Sequence, residues 1–158
     1  MNKDRNQKLT PSQALEKIKH YCAYQERCHS EVRQKLFDFG LTKGEIDEIL
    51  LYLIENNYLD EQRYAEQFAG GHFRRKKWGR IKIRYALRQK QISDPCIKKA
   101  LQVIDEEDYL KTLQHLFEEK NKTLKSEKNH FIRKKKLRDH LLQKGYESGY
   151  IQDLIQNN

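Results

Sequence analysis

With 158 residues, 32 Lys plus Arg against 23 Asp plus Glu and a formal charge of +9, the chain has room for one ordinary domain or about three very small ones. A large multidomain enzyme is excluded. The 37% of hydrophobic residues suffice for folding, no apolar run approaches the roughly 18 residues of a membrane span, and Met1 to Leu9 has no apolar signal core, so a cytoplasmic protein without membrane association is expected. Cys22, Cys28 and Cys96 are few and odd in number, which points to free thiols.

In chain order, residues 1–9 read as a disordered or frayed N-terminus. Thr10-Pro11-Ser12-Gln13 then offers an N-cap threonine, a proline at the first helical position and a glutamine that completes a capping box. The helix it opens carries Ala14, Leu15, Ile18 and Cys22 on one stripe. Val32 and Leu36 mark a second helix ended near Gly40, and Thr42-Lys43-Gly44-Glu45 is a second capping box, opening a helix through Ile46, Ile49 and Leu50. Asp60 is a cap for a helix with Tyr64, Ala65, Phe68 and His72 on its face, followed by Ile83 and Leu87, then by Ser93 capping Ile97, Ala100 and Leu101. The acidic run Asp105 to Asp108 opens a helix through Tyr109, Leu110, Leu113 and Phe117, where negative charge suits the helix dipole better than it suits a metal. Asn121 to Asn129 reads as helix extension plus loop. Leu137 and Leu141, a stop at Gly145, and Ile151, Leu154 and Ile155 complete the chain. No Asn-Gly or Asp-Gly hairpin turn and no sustained alternation occurs, so the fold is expected to be all-α.

These elements repeat. Val32, Leu36, Leu41, Ile46, Ile49 and Leu50 recur 51 residues on as Ile83, Leu87, Ile92, Ile97, Ala100 and Leu101, and 54 further on as Leu137, Leu141, Tyr146, Ile151, Leu154 and Ile155. Gly40 maps onto Gln91 and Gly145. Each copy adds an upstream helix, which gives three tandem three-helix repeats: 10–57, 58–104 and 105–158.

Catalytic machinery is sparse. There is no phosphate-binding loop, Gly70-Gly71 is an isolated pair of the kind that marks a bend or close packing, and His20, Cys22, Cys28 and His29 lack the Cys-x-x-Cys spacing of a zinc site. No enzyme activity, cofactor or metal is expected. The strong feature is positive charge: twelve bases and four acids between residues 58 and 104 leave +8 there, and nine bases fall in the seventeen residues from Arg74 to Lys90. Candidate binding residues are Arg74, Arg75, Lys76, Lys77, Arg80, Lys82, Arg84 and Arg88. If the chain is helical from about Lys77, then Lys77, Arg80, Arg84 and Arg88 share a sector of about 80° and form a stripe about 16 Å long, able to meet phosphates or a line of carboxylates. Trp78 and Phe73 lie among them, either to stack on a base or to pack inside. A second run, Arg133, Lys134, Lys135, Lys136 and Arg138, is either a solvated face or a second contact.

The segment Tyr58-Leu59-Asp60-Glu61-Gln62-Arg63-Tyr64-Ala65-Glu66-Gln67-Phe68, followed by Gly79, Ile83, Leu87 and Ile92, resembles the signature of the RecX family, small bacterial regulators of the RecA recombinase. The likeness extends over residues 10 to 156. The family usually has glycine where Asn57 and Gln91 stand here. The resemblance implies a curved, elongated array that lies in the groove of a RecA filament on single-stranded DNA and limits ATP hydrolysis, strand exchange and filament growth. It also implies partner contacts through Arg74, Arg75 and Arg80 with their neighbours on the same stripe, and a monomer is expected. A stand-alone DNA-binding protein of helix-turn-helix geometry and a helical scaffold for another protein are the alternatives.

Overall fold

A computed structural model describes residues 8–158, and among them the elements are helices alone. The first unit holds α1 (Pro11–Tyr24), α2 (His29–Asp38) and α3 (Lys43–Glu55). The second holds α4 (Glu61–Lys76), α5 (Arg80–Gln89) and α6 (Asp94–Leu101), and the third α7 (Glu106–Thr123), α8 (His130–Gln143) and α9 (Ser148–Gln156). Of the segment 1–9 read as frayed, residues 1–7 lie outside the described residues. Leu9 is held, its N–H donating to Phe39 O at 3.0 Å.

Local chemistry explains the boundaries. Thr10 and Thr42 close reciprocal capping boxes with Gln13 and Glu45, and Asp60 and Asp105 accept from the backbone N–H three residues on. Ser93 occupies an N-cap position but makes no side-chain cap; its own N–H donates to Glu61 Oε1 at 2.7 Å. The second helix of each unit ends on a left-handed residue at the repeating position: Gly40 at φ 86°, Gln91 at φ 63° and Gly145 at φ 96°. Asn57 is left-handed as well, so both positions where the family usually has glycine keep a positive φ.

The repeating apolar positions are buried in all three units except Leu154, which is half-buried. In α4 the core face is Tyr64, Ala65, Ala69 and Phe73, so Phe68 and His72 lie at its edge, one residue round the helix from the stripe expected. α4 runs unbroken through Gly70 and Gly71, both buried. The nearest atoms to a β-carbon there are the guanidinium groups of Arg74 and Arg75, which fold back over that turn.

The units join in tandem by one recurring device. The start of α2 meets the turn after α5: Ser30 Oγ donates to Lys90 O at 2.9 Å, Lys90 pairs with Glu31 at 3.2 Å, and Tyr64 OH donates to Glu31 at 3.3 Å. The start of α5 meets the turn after α8 in the corresponding way, with Gly79 N–H donating to Lys144 O at 2.8 Å and Ile81 N–H to Gly145 O at 2.9 Å. A β-carbon on Gly79 would overlap the Gly145 carbonyl, so glycine is required there for backbone approach, its φ of −78° being ordinary. The first unit has its own apolar cluster, which Leu59 of the second joins, whereas the second and third share one, which Cys28 of the first joins.

Candidate nucleic-acid interface

The cationic segment is not one stripe on one helix. α4 ends at Lys76, Lys77 turns left-handed at φ 60°, and α5 begins only at Arg80, so Lys77 is off the helical line predicted for it. The break follows from tertiary structure: Tyr146 OH donates to Lys77 O at 2.8 Å, and Gly79 must reach the third unit.

Arg80 is already engaged within the chain. Its side chain is only 18% exposed, its guanidinium lies 3.9 Å from the Tyr109 ring centroid, and it donates to Glu147 Oε2 at 2.9 Å and to Glu106. Burial alone would lower its pKa, but the bonds to Glu147 and Glu106 outweigh that and raise it. Tyr109 OH accepts from Arg80 N–H at 3.1 Å and donates to Glu147, and burial first, then that carboxylate, pushes its pKa up. Arg80 is thus a clasp between units, its guanidinium paired with two carboxylates.

The remaining cations separate into two groups. Arg84 and Arg88 line, together with Arg80, a groove of about 780 Å³ that includes Asp94, Ile97 and Lys98, so three of the four expected stripe residues share it, and Arg88 is already paired with Asp94 at 3.2 Å. Arg74, Arg75, Lys76 and Lys77 are exposed at the end of α4, and Lys82 approaches them from α5. Among the described residues no carboxylate lies within 4 Å of these five. Lys76 Nζ and Lys82 Nζ stand 5.2 and 4.8 Å from the Trp78 ring centroid. Trp78 is half-buried against His72, 4.6 Å between centroids, and His72 stacks on Phe68 at 3.8 Å. Phe73 has gone inside, packing on Tyr109 at 5.8 Å. Desolvation lowers the His72 pKa, with Lys76 and Arg75 adding to the effect against the Phe68 carbonyl. The result is a half-open aromatic platform with two unpaired lysines over Trp78, an arrangement suited to a polyanion with stackable bases. Sequence reasoning missed the Arg80 clasp and the role of His72; the only signal for the latter was its spacing of four from Phe68.

Among the described residues no three His, Cys, Asp or Glu side chains are grouped to hold a metal ion, and no helix is long and apolar enough to cross a membrane. Fold and site together define a tandem three-helix-repeat protein with a strongly cationic surface on its second unit. Two family models match the chain, that of the RecX second three-helix domain over residues 60–101 and that of the RecX third three-helix domain over residues 106–155. Regulatory protein RecX of Prosthecochloris aestuarii is 32% identical over 90% of this chain and 91% of its own length, and that of Clostridium perfringens strain 13 is 34% identical over 77% and 57%. The chain therefore belongs to the RecX family, although it spans little more than half the length of the clostridial relative. In fold it matches the crystal structure of RecX from Lactobacillus salivarius with a TM-score of 0.84 at 24% identity, over 93% of this chain and 95% of that one. A further crystal structure of regulatory protein RecX gives 0.84 at 23% identity, over 94% and 72%.

Proposed function

We propose that the chain is a non-enzymatic regulator that binds, as a monomer, the RecA nucleoprotein filament on single-stranded DNA and restrains RecA's ATP hydrolysis, strand exchange and filament growth in recombination and repair. The observation that carries this reading is the exposed, unpaired run Arg74, Arg75, Lys76 and Lys77 at the end of α4, with Lys76 and Lys82 beside Trp78. A filament modulator needs a charged surface matched to phosphate and protein together, set on a rigid array; stacked helical units supply that without a catalytic centre. Arg84 and Arg88, in the groove behind, are the secondary contacts.

The test is RecA ATPase on single-stranded DNA with added protein. Charge reversal of Arg74, Arg75 and Lys76 together removes the inhibition while leaving the melting transition in place, because all three side chains are exposed. Inhibition that survives the reversal removes this cluster as the contact. Co-sedimentation with RecA, with and without single-stranded DNA, separates filament binding from binding to free RecA, and tight sequence-dependent binding to duplex DNA without RecA transfers the function to the stand-alone alternative.

A further inference from the structure

We propose that α8 carries a second polyanion-binding surface, a stripe of Phe131, Lys134, Lys135 and Arg138 ending at Leu142, whose occupant is single-stranded nucleic acid. At 100° per residue these five positions fall in a sector of about 100°, beside the buried line of Leu137 and Leu141. Phe131 is 87% exposed and Leu142 41%.

The structure sorts the basic run 133–138 into inward and outward members. Arg133 folds back to donate to Glu127 O at 2.8 Å, and Lys136 pairs with Glu127 at 3.6 Å, so both fasten the loop before α8. Lys135 meets Asp139 at 3.4 Å, a fully exposed pair that water and salt screen. Lys134 and Arg138 have no carboxylate within 4 Å among the described residues. An outward aromatic with outward cations one turn away is the pattern that stacks a base and neutralises its phosphates.

Two observations select nucleic acid over an anionic membrane. A helix lying in a bilayer surface needs a broad free apolar face, and here that face is spent on the core through Leu137 and Leu141. The stripe also continues from the Trp78 cluster: Lys82, 4.8 Å over Trp78, reaches Gln143 O at the end of α8 at 3.5 Å. Over 14 residues, α8 then separates Trp78 and Phe131 by about 20 Å, which a short single strand crosses. Its N-terminal end is particular to the third unit, since α2 and α5 have 10 residues each.

The experiment uses the full chain and an oligo-dT probe without RecA, so its failure and that of the filament reading are distinguishable. Phe131→Trp in a Trp78→Phe background places one indole on the stripe, and oligo-dT is expected to quench it. Lys134→Gln with Arg138→Gln, on the otherwise native chain, is expected to weaken binding about tenfold and to reduce the slope of log affinity against log salt by about 1.4, because two phosphates are no longer neutralised. Unquenched indole fluorescence, or an unchanged salt slope, overturns the proposal. So does quenching by phosphatidylglycerol vesicles in place of oligo-dT.

Discussion

Replacing Arg80 separates the two roles that its charge allows. The bond to Glu147 is partly buried and charge-assisted, which sets its loss at about 1.5–2 kcal/mol. Stacking on Tyr109 adds about 1 kcal/mol, and the pair with Glu106, whose side chain is 54% exposed, adds about 0.5 kcal/mol at most. Arg80→Ala is therefore expected to destabilise the chain by about 3 kcal/mol, or about 6 to 12 °C in melting temperature for a chain of this size. Urea denaturation followed by the fluorescence of Trp78 measures it, because Trp78 sits two residues from the clasp. A double-mutant cycle with Glu147→Gln should return a coupling of about 1.5 kcal/mol, whereas Arg75→Ala, exposed and unpaired, should couple to nothing. The reasoning is refuted if Arg80→Ala leaves the urea midpoint unchanged yet relieves ATPase inhibition as fully as reversal of the exposed cluster does. Arg80 would then be the contact residue that its place in the sequence suggests.

Three further outcomes are expected. His72 has a folded pKa below the value near 6.5 that it takes when unfolded, so the stability it contributes is present above that pH and is lost as pH falls through the folded value. Trp78 fluorescence should report this titration, and its midpoint should rise when a polyanion covers Lys76 and Arg75; a midpoint indifferent to oligo-dT removes anion binding from this cluster. Gln91→Gly should stabilise by about 0.5–1 kcal/mol in urea, the relief of a left-handed glutamine less the added freedom of the unfolded chain, and destabilisation would show that the Gln91 side chain holds the turn. Gly79→Ala should cost about 3 kcal/mol by forcing the second and third units apart, and a calorimetric trace identical to the parent's would disprove the close backbone approach.

The fold was legible because each of its signals is local or periodic. Capping boxes at Thr10 and Thr42 are read four residues at a time, and the repeat needs only the spacing of apolar residues. Where two stripes compete on one helix, periodicity is not enough: in α4 the lines 64, 68, 72 and 65, 69, 73 both carry aromatic residues, and only packing shows that small Ala69 and Phe73 face inward. The site was legible in composition and illegible in detail for a related reason. Charge counting sees nine bases, but Arg80 is neutralised by carboxylates 26 and 67 residues away, a distance at which no local rule operates. Lys77 is similar, since its left-handed turn is imposed by Tyr146, 69 residues on.

The two junctions explain why the cationic loop sits where it does. Both use the start of one unit's second helix, the turn after the next unit's second helix, and a tyrosine from the next unit's first helix, Tyr64 or Tyr109. The first junction is closed by side chains, Ser30, Glu31, Lys90 and the Arg63–Glu26 pair at 2.6 Å, and only Cys28 and Leu59 cross between the two units' apolar clusters. The second is closed backbone to backbone through Gly79 and Gly145, with the cores merged. Local opening is governed by buried apolar contact and protected backbone bonding, so the first junction yields at lower free energy than the second. Lys77, Trp78 and Gly79 belong to the second. Their carbonyl and N–H groups are bound by Tyr146 and Lys144, which holds the loop's shape before any partner arrives. A loop already fixed loses little entropy on binding, so the segment from Lys77 to Gly79 is held in one shape by the third unit.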